Sequence, residues 1–203
     1  MYTPYDLVRY RSLRRSTITL SVGYFSVLFF YYGVSSTIDK IGFNPVLNSV
    51  LLGLGSLIGV PISFLIADSI LRRYLGMFYN VFSGICCLAI YFLIVPASCE
   101  ICTENTIQMT LLVLIRIVSV VQNQIVFLHQ IEAFPVAIRS IGIGITSLLG
   151  DIGIFCSQFI IVAAFEVSIK FPFLILAICS VFFTINYYLA PETLNEPLKD
   201  QVE

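Results

Sequence analysis

VLNSVLLGLGSLIGVPISFLIA, residues 46–67, decides what kind of molecule this chain forms. The stretch holds no Asp, Glu, Lys or Arg, and it has no polar face at helical spacing. A helix rises about 1.5 Å per residue, so roughly 20 apolar residues cross a hydrocarbon layer about 30 Å thick. A barrel strand would alternate with period two over about ten residues, and the run 46–58 does not alternate. Five more stretches are apolar over similar lengths, at 16–38, 75–96, 107–129, 141–164 and 171–190, and among them only Arg116 and Asp151 are Asp, Glu, Lys or Arg. Hydrophobic residues make up 58% of the 203 and charged residues 11%, with a mean hydropathy of +0.95. Soluble domains run at about 45–50% apolar and about 25% charged, so this chain could not cover its surface in water. It reads as an all-α, multi-pass membrane protein with the lipid bilayer as its surroundings. A net charge of −1 leaves no electrostatic footprint for nucleic acid.

Loop charges set the expected orientation. Arg9, Arg11, Arg14 and Arg15 precede the first span, Arg72 and Arg73 follow the second, Arg139 follows the fourth, and Lys199 lies in the tail. The opposite loops hold Lys40 and Lys170 beside Asp39, Glu100, Glu104 and Glu166. The positive-inside rule then puts both termini in the cytoplasm. The expected division is a basic segment over 1–15, a six-helix bundle over 16–190 and a tail over 191–203. The first span is too long for a cleaved signal segment and no A-x-A-like site follows it. Cys86, Cys87, Cys156 and Cys179 read as small apolar space-fillers. Cys99 and Cys102 stand at C-x-x-C spacing in an outer loop, where a disulfide or a redox role is open. His129, the single histidine, reads as an interfacial or loop-packing residue. No nucleotide, metalloprotease or nucleophile-elbow motif occurs, so neither an enzyme activity nor a cofactor or metal is expected.

Ionisable groups inside a bilayer cost at least about 2.5–3.5 kcal/mol on insertion scales and must be paired, solvated or functional. Arg116 and Asp151 lie roughly 14–15 Å into the fourth and fifth spans, opposite charges expected at similar depth on consecutive antiparallel helices. Spacings of three and four place Arg116, Ser119, Asn123, Phe127 and Gln130 on one stripe, bordered by Gln124. Gly144, Ser147, Asp151, Ile154 and Gln158 form another. Such stripes predict either a buried Arg116–Asp151 pair that fixes packing or a wet cavity whose acid binds a cation. Aromatic residues of the first span, Tyr24 and Tyr31 among them, serve as packing or, beside an acid, as cation–π partners. Gly55 and Gly59 stand at G-x-x-x-G spacing and indicate close helix approach.

Motifs follow each even-numbered span: Asp68-Ser-Ile-Leu-Arg72-Arg73, then Glu132-Ala-Phe-Pro135-Val-Ala-Ile-Arg139, then Pro191-Glu192-Thr193. Together they resemble the D-x-x-G-R-[RK] loop, the E-x-[FY]-P-x-x-x-R segment and the terminal P-E-T of the major facilitator superfamily. Asp6-Leu7-Val8-Arg9, Leu13-Arg14-Arg15 and Tyr31-x-Gly33 look like its organic cation, anion and carnitine transporters, with the cation branch nearest. The resemblance covers nearly the whole chain but only the second six spans of a twelve-span architecture. It implies one six-helix bundle, half of the major facilitator fold, that moves small organic cations or zwitterions by alternating access. Asp151 would be the charge partner, Tyr31 and Tyr24 an aromatic wall, Gln124 a hydrogen-bonding wall residue, and Arg116 a partner of Asp151 or of a substrate carboxylate. Tyr24 stands where a tryptophan is usual, and Leu71 replaces the loop glycine. Asp68 with Arg72 or Arg73, and Glu132 with Arg139, would pair at the cytoplasmic ends and gate the cycle, alongside simple positive-inside anchoring as their role.

Half a cavity needs a second bundle, either a missing N-terminal half or a second copy of this chain, and a plasma-membrane location is expected. Organic anion or sugar transport are the alternatives within transport. A protein that does not transport but binds or regulates a partner transporter is the alternative outside it.

Overall fold

The structure, a computed structural model, describes residues 11–38, 45–67, 69–93 and 103–190. Six helices account for nearly all of them: α1 Arg11–Ile38, α2 Pro45–Ala67, α3 Arg72–Leu93, α4 Thr103–Ala133, α5 Arg139–Val167 and α6 Phe171–Leu189. Each is long and apolar enough to cross a membrane, so the six expected spans are present. Helix α1 begins at Arg11, which makes Arg14 and Arg15 part of the first helix rather than of a preceding segment. The C-x-x-C cysteines, Asp68 and the tail with Pro191-Glu192-Thr193 lie outside the described residues.

Local chemistry explains the ends. Pro135 disfavours helical geometry at Phe134, so α4 stops at Ala133 and a turn closed by Ile138 N–H on the Pro135 carbonyl (3.1 Å) starts α5. Pro45 opens α2 and Pro172 lies in the first turn of α6, where a missing N–H costs nothing.

The helices arrange in two layers. Helix α1 packs most extensively on α5 and also on α4, which in turn carries α2, so the front layer reads α2–α4–α1–α5. Helices α3 and α6 pair behind it, α3 against α4 and α6 against α1. Lipid offers apolar side chains no reason to turn inward, so contact surfaces in a membrane favour small and polar residues. Helix α3 shows this sorting: Gly76, Asn80, Ser83 and Gly84 are buried, while Phe78, Val81, Ile85 and Phe92 point outward. Gly76 abuts the Tyr187 ring and Gly84 abuts Ser180, which lets α3 and α6 approach closely. Gly55 and Gly59 do the same for α2 on α4, as their spacing implied; a Cβ at Gly59 would stand 2.9 Å from the Ile117 carbonyl oxygen. The aromatic core of the bundle is Phe25, Phe29, Phe30, Tyr79 and Phe183, with ring centroids 5.9–6.4 Å apart.

Candidate functional site

Arg116 is the hub of the front layer. Its Nη1 donates to the Tyr31 carbonyl (3.2 Å) and to Ser35 Oγ (3.0 Å), Nη2 donates to the Tyr31 hydroxyl, and Nε donates to Ser56 Oγ (3.3 Å). The guanidinium carbon also lies 3.5 Å from the Tyr31 ring centroid. One side chain of α4 thus ties α1 to α2. Ser35 and Ser56 can accept because their own protons go to the Tyr31 and Leu52 carbonyls, 3.1 Å away in each case. All of these partners are neutral, so they hold the cation in place without cancelling its charge. Charge-assisted bonds and the ring face offset its removal from water.

Asp151 stands apart from this hub. Among the described residues no ion pair joins it to Arg116, and α4 and α5 touch little. The expected direct pair is not formed, because α1 lies between the two helices. Gly150 and Gly153 seat α5 on α1: a Cβ at Gly150 would meet Tyr24, and one at Gly153 would stand 2.8 Å from the Phe25 carbonyl oxygen. The Asp151 carboxylate is exposed next to that contact, within electrostatic range of the half-buried Tyr24. Helix α1 serves as a ruler for depth. Asp151 lies at the level of Tyr24 and the Arg116 guanidinium at the level of Tyr31, seven residues or about 10 Å further along. The similar depth expected from span counting is therefore replaced by two subsites along α1, each an ionisable side chain beside a tyrosine.

The stripes divide accordingly. On α5, Gly144 opens to free space, Asp151 is exposed, and Gln158 accepts from Ser36 Oγ at 2.7 Å. On α4, Phe127 and Gln124 are exposed and Asn123 half-buried, but Ser119 and Gln130 are buried. Ser119 lies 3.5 Å from the Tyr79 hydroxyl, and Gln122, unremarked in the sequence, donates to the Tyr187 hydroxyl at 3.1 Å. These contacts link α4 to the back layer. Ser35 and Ser56 were also missed as holders of Arg116; Ser35 one helical turn after Tyr31 was the available signal. His129 is buried near the C-terminal end of α4.

At the arginine-rich end Glu132 and Arg139 do not meet as expected, while the pairing of Asp68 lies outside the described residues. Arg72, 2% exposed, meets Glu132 in a two-pronged ion pair, Nη2 to Oε1 at 3.0 Å and Nε to Oε2 at 3.3 Å. Arg139 instead donates to the Phe134 carbonyl (3.3 Å), because the Pro135 turn folds the start of α5 back over the end of α4. Arg73 stacks on Tyr188, 4.5 Å from the ring centroid. The Glu132–Arg139 pair is corrected to Glu132–Arg72, a bond between α4 and α3.

Comparison with known proteins places these residues in a family context. The family described as "Sugar (and other) transporter" matches residues 16–203. Solute carrier family 22 member 6 of Bos taurus is 30% identical over 98% of this chain and 35% of its own length. An organic cation transporter protein of Drosophila melanogaster is 24% identical over 99% of this chain and 35% of its own length. Organic anion transporter 3 of Homo sapiens is 28% identical over the whole chain and 36% of its own length. The chain spans about a third of the length of the curated relatives it matches.

Proposed function

This chain belongs to the family of sugar and other transporters, and from that premise we propose that it forms one six-helix half of a carrier for small organic cations or zwitterions. The observation that carries the reading is Asp151: an exposed carboxylate far from either end of α5, without a hydrogen bond or ion pair among the described residues. A carboxylate facing lipid would be too costly, so this face is covered in use by water, substrate and a second six-helix bundle. A cationic group sits at Asp151 with Tyr24 as its aromatic neighbour, Gln124 lines the wall, and a substrate carboxylate reaches Arg116 beside Tyr31. The Arg72–Glu132 pair closes the arginine-rich end, facing the cytoplasm, and opens as the bundles rock.

Uptake into proteoliposomes of a permanent quaternary ammonium and of a dicarboxylate tests this, with chains that carry both bundles and with the 203-residue chain alone. Asp151→Asn is expected to lower quaternary ammonium uptake at least tenfold and to spare the dicarboxylate. Unaltered cation uptake would remove Asp151 from the site. A second reading, organic anion transport, is favoured by Arg116, whose charge no carboxylate cancels among the described residues, and by the relative named for organic anions. On that reading Arg116→Gln abolishes dicarboxylate uptake and Asp151→Asn has no effect on it.

A further inference from the structure

A second face of α1, about a quarter turn from the one that carries Tyr24 and Tyr31, holds a feature that the proposed transport site does not use. At the arginine-rich end, Arg14, Arg15, Ile18 and Thr19 line a pocket of about 330 Å³ with mixed polar and apolar walls. One turn further along, Ser21, Val22 and Phe25 of α1 join Leu149 of α5 and Phe182 and Phe183 of α6 around an apolar groove of about 240 Å³. Residues 14, 18, 21 and 25 are spaced by four, three and four, so pocket and groove lie on one face of the same helix. Pocket and groove both open sideways, since Ile18 of the pocket and Phe182 of the groove are more than half exposed.

The pocket is braced from α6. Arg15 Nη2 donates to the Leu189 carbonyl (3.3 Å), and Asn186 Nδ2 donates to the Thr19 carbonyl (3.0 Å). Arg15 keeps further N–H donors after that bond. Arg14 is exposed and makes no hydrogen bond or ion pair among the described residues. A doubly cationic pocket continued by a dry groove matches a molecule with an anionic head and a long apolar tail.

We infer that an anionic phospholipid, from the leaflet bordering the arginine-rich end, binds along α1 from Arg14 to Phe25, with its phosphate in the pocket and an acyl chain in the groove. A phosphatidylcholine head carries no net charge to answer two arginines and is disfavoured, whereas phosphatidylserine keeps a net negative charge. A free phosphate would leave the groove empty.

The sequence supplies a clean reporter, because it contains no tryptophan. In vesicles, the emission of an Ile18→Trp variant is followed while chain-brominated phosphatidylserine or phosphatidylcholine is added to unlabelled phosphatidylcholine. Brominated phosphatidylserine is expected to quench at several-fold lower mole fraction. Arg14→Gln in the same background should cut that preference about fivefold, the worth of one basic residue at an anionic surface. Arg14→Lys, which keeps the charge, should retain it. Equal quenching by the two lipids, a preference indifferent to Arg14→Gln, or its loss in Arg14→Lys would overturn the assignment. So would abolition of the preference by millimolar inorganic phosphate, which would mark a site for free anions.

Discussion

Arg72 and Arg116 are two arginines in apolar helices, and they are held in opposite ways. Arg72 is almost fully buried and its charge is cancelled by Glu132 through two parallel contacts. Arg116 is only half-buried, and its partners are a tyrosine, two serines and a backbone carbonyl. The first arrangement answers a charge with a charge and clamps α3 to α4. The second fixes the direction of a charge and leaves its field to be answered by something else. The two arginines thus differ by the charge of their partners rather than by depth alone.

Breaking the clamp should produce the largest effect. Glu132→Ala takes the carboxylate of a two-pronged ion pair away from a buried arginine, and thermal unfolding in detergent should show the largest loss of the series, about 3–5 kcal/mol. Removing both groups together should cost clearly less than the two single changes summed. Next comes the scaffold that keeps the two front charges apart. Gly153→Ala forces a methyl group against the Phe25 carbonyl and should cost about 1–3 kcal/mol by the same measurement. Arg116→Gln removes charged donors from partners that can re-bond to water on a half-open face, so its loss should be smaller, about 1–2 kcal/mol. Arg116→Lys should not restore it, since an ammonium cannot reproduce the planar fork that reaches Ser35, Ser56 and Tyr31 together. The smallest change is expected for Asp151→Asn, within about 0.5 kcal/mol of the parent, because the carboxylate makes no hydrogen bond or ion pair among the described residues. A large loss there would move Asp151 to the structural side of the comparison.

Much of this is legible in the sequence. The charge-free run 46–67 and its five counterparts announced spans, and helices stand at each. Gly55 and Gly59 announced a close helix contact, and α4 makes it. Arg116 and Asp151 were conspicuous by type and position alone. Their relation was not, because sequence order suggested that consecutive helices α4 and α5 are neighbours. Helix α1 lies between them and gives each charge its own tyrosine, Tyr31 for one and Tyr24 for the other. The same limit misassigned Glu132 to Arg139, seven residues away, when its partner Arg72 is sixty residues away.

By itself the sequence determined the solvent, the number of spans and the few polar side chains that a bilayer would make costly. These follow from side-chain transfer energies and helix rise, which act within one segment. Tertiary structure alone decided which charge is cancelled and which is left open. That depends on which helices share a face, and glycines at the contacts, Gly150 and Gly153 above all, set that choice by allowing α5 to close on α1.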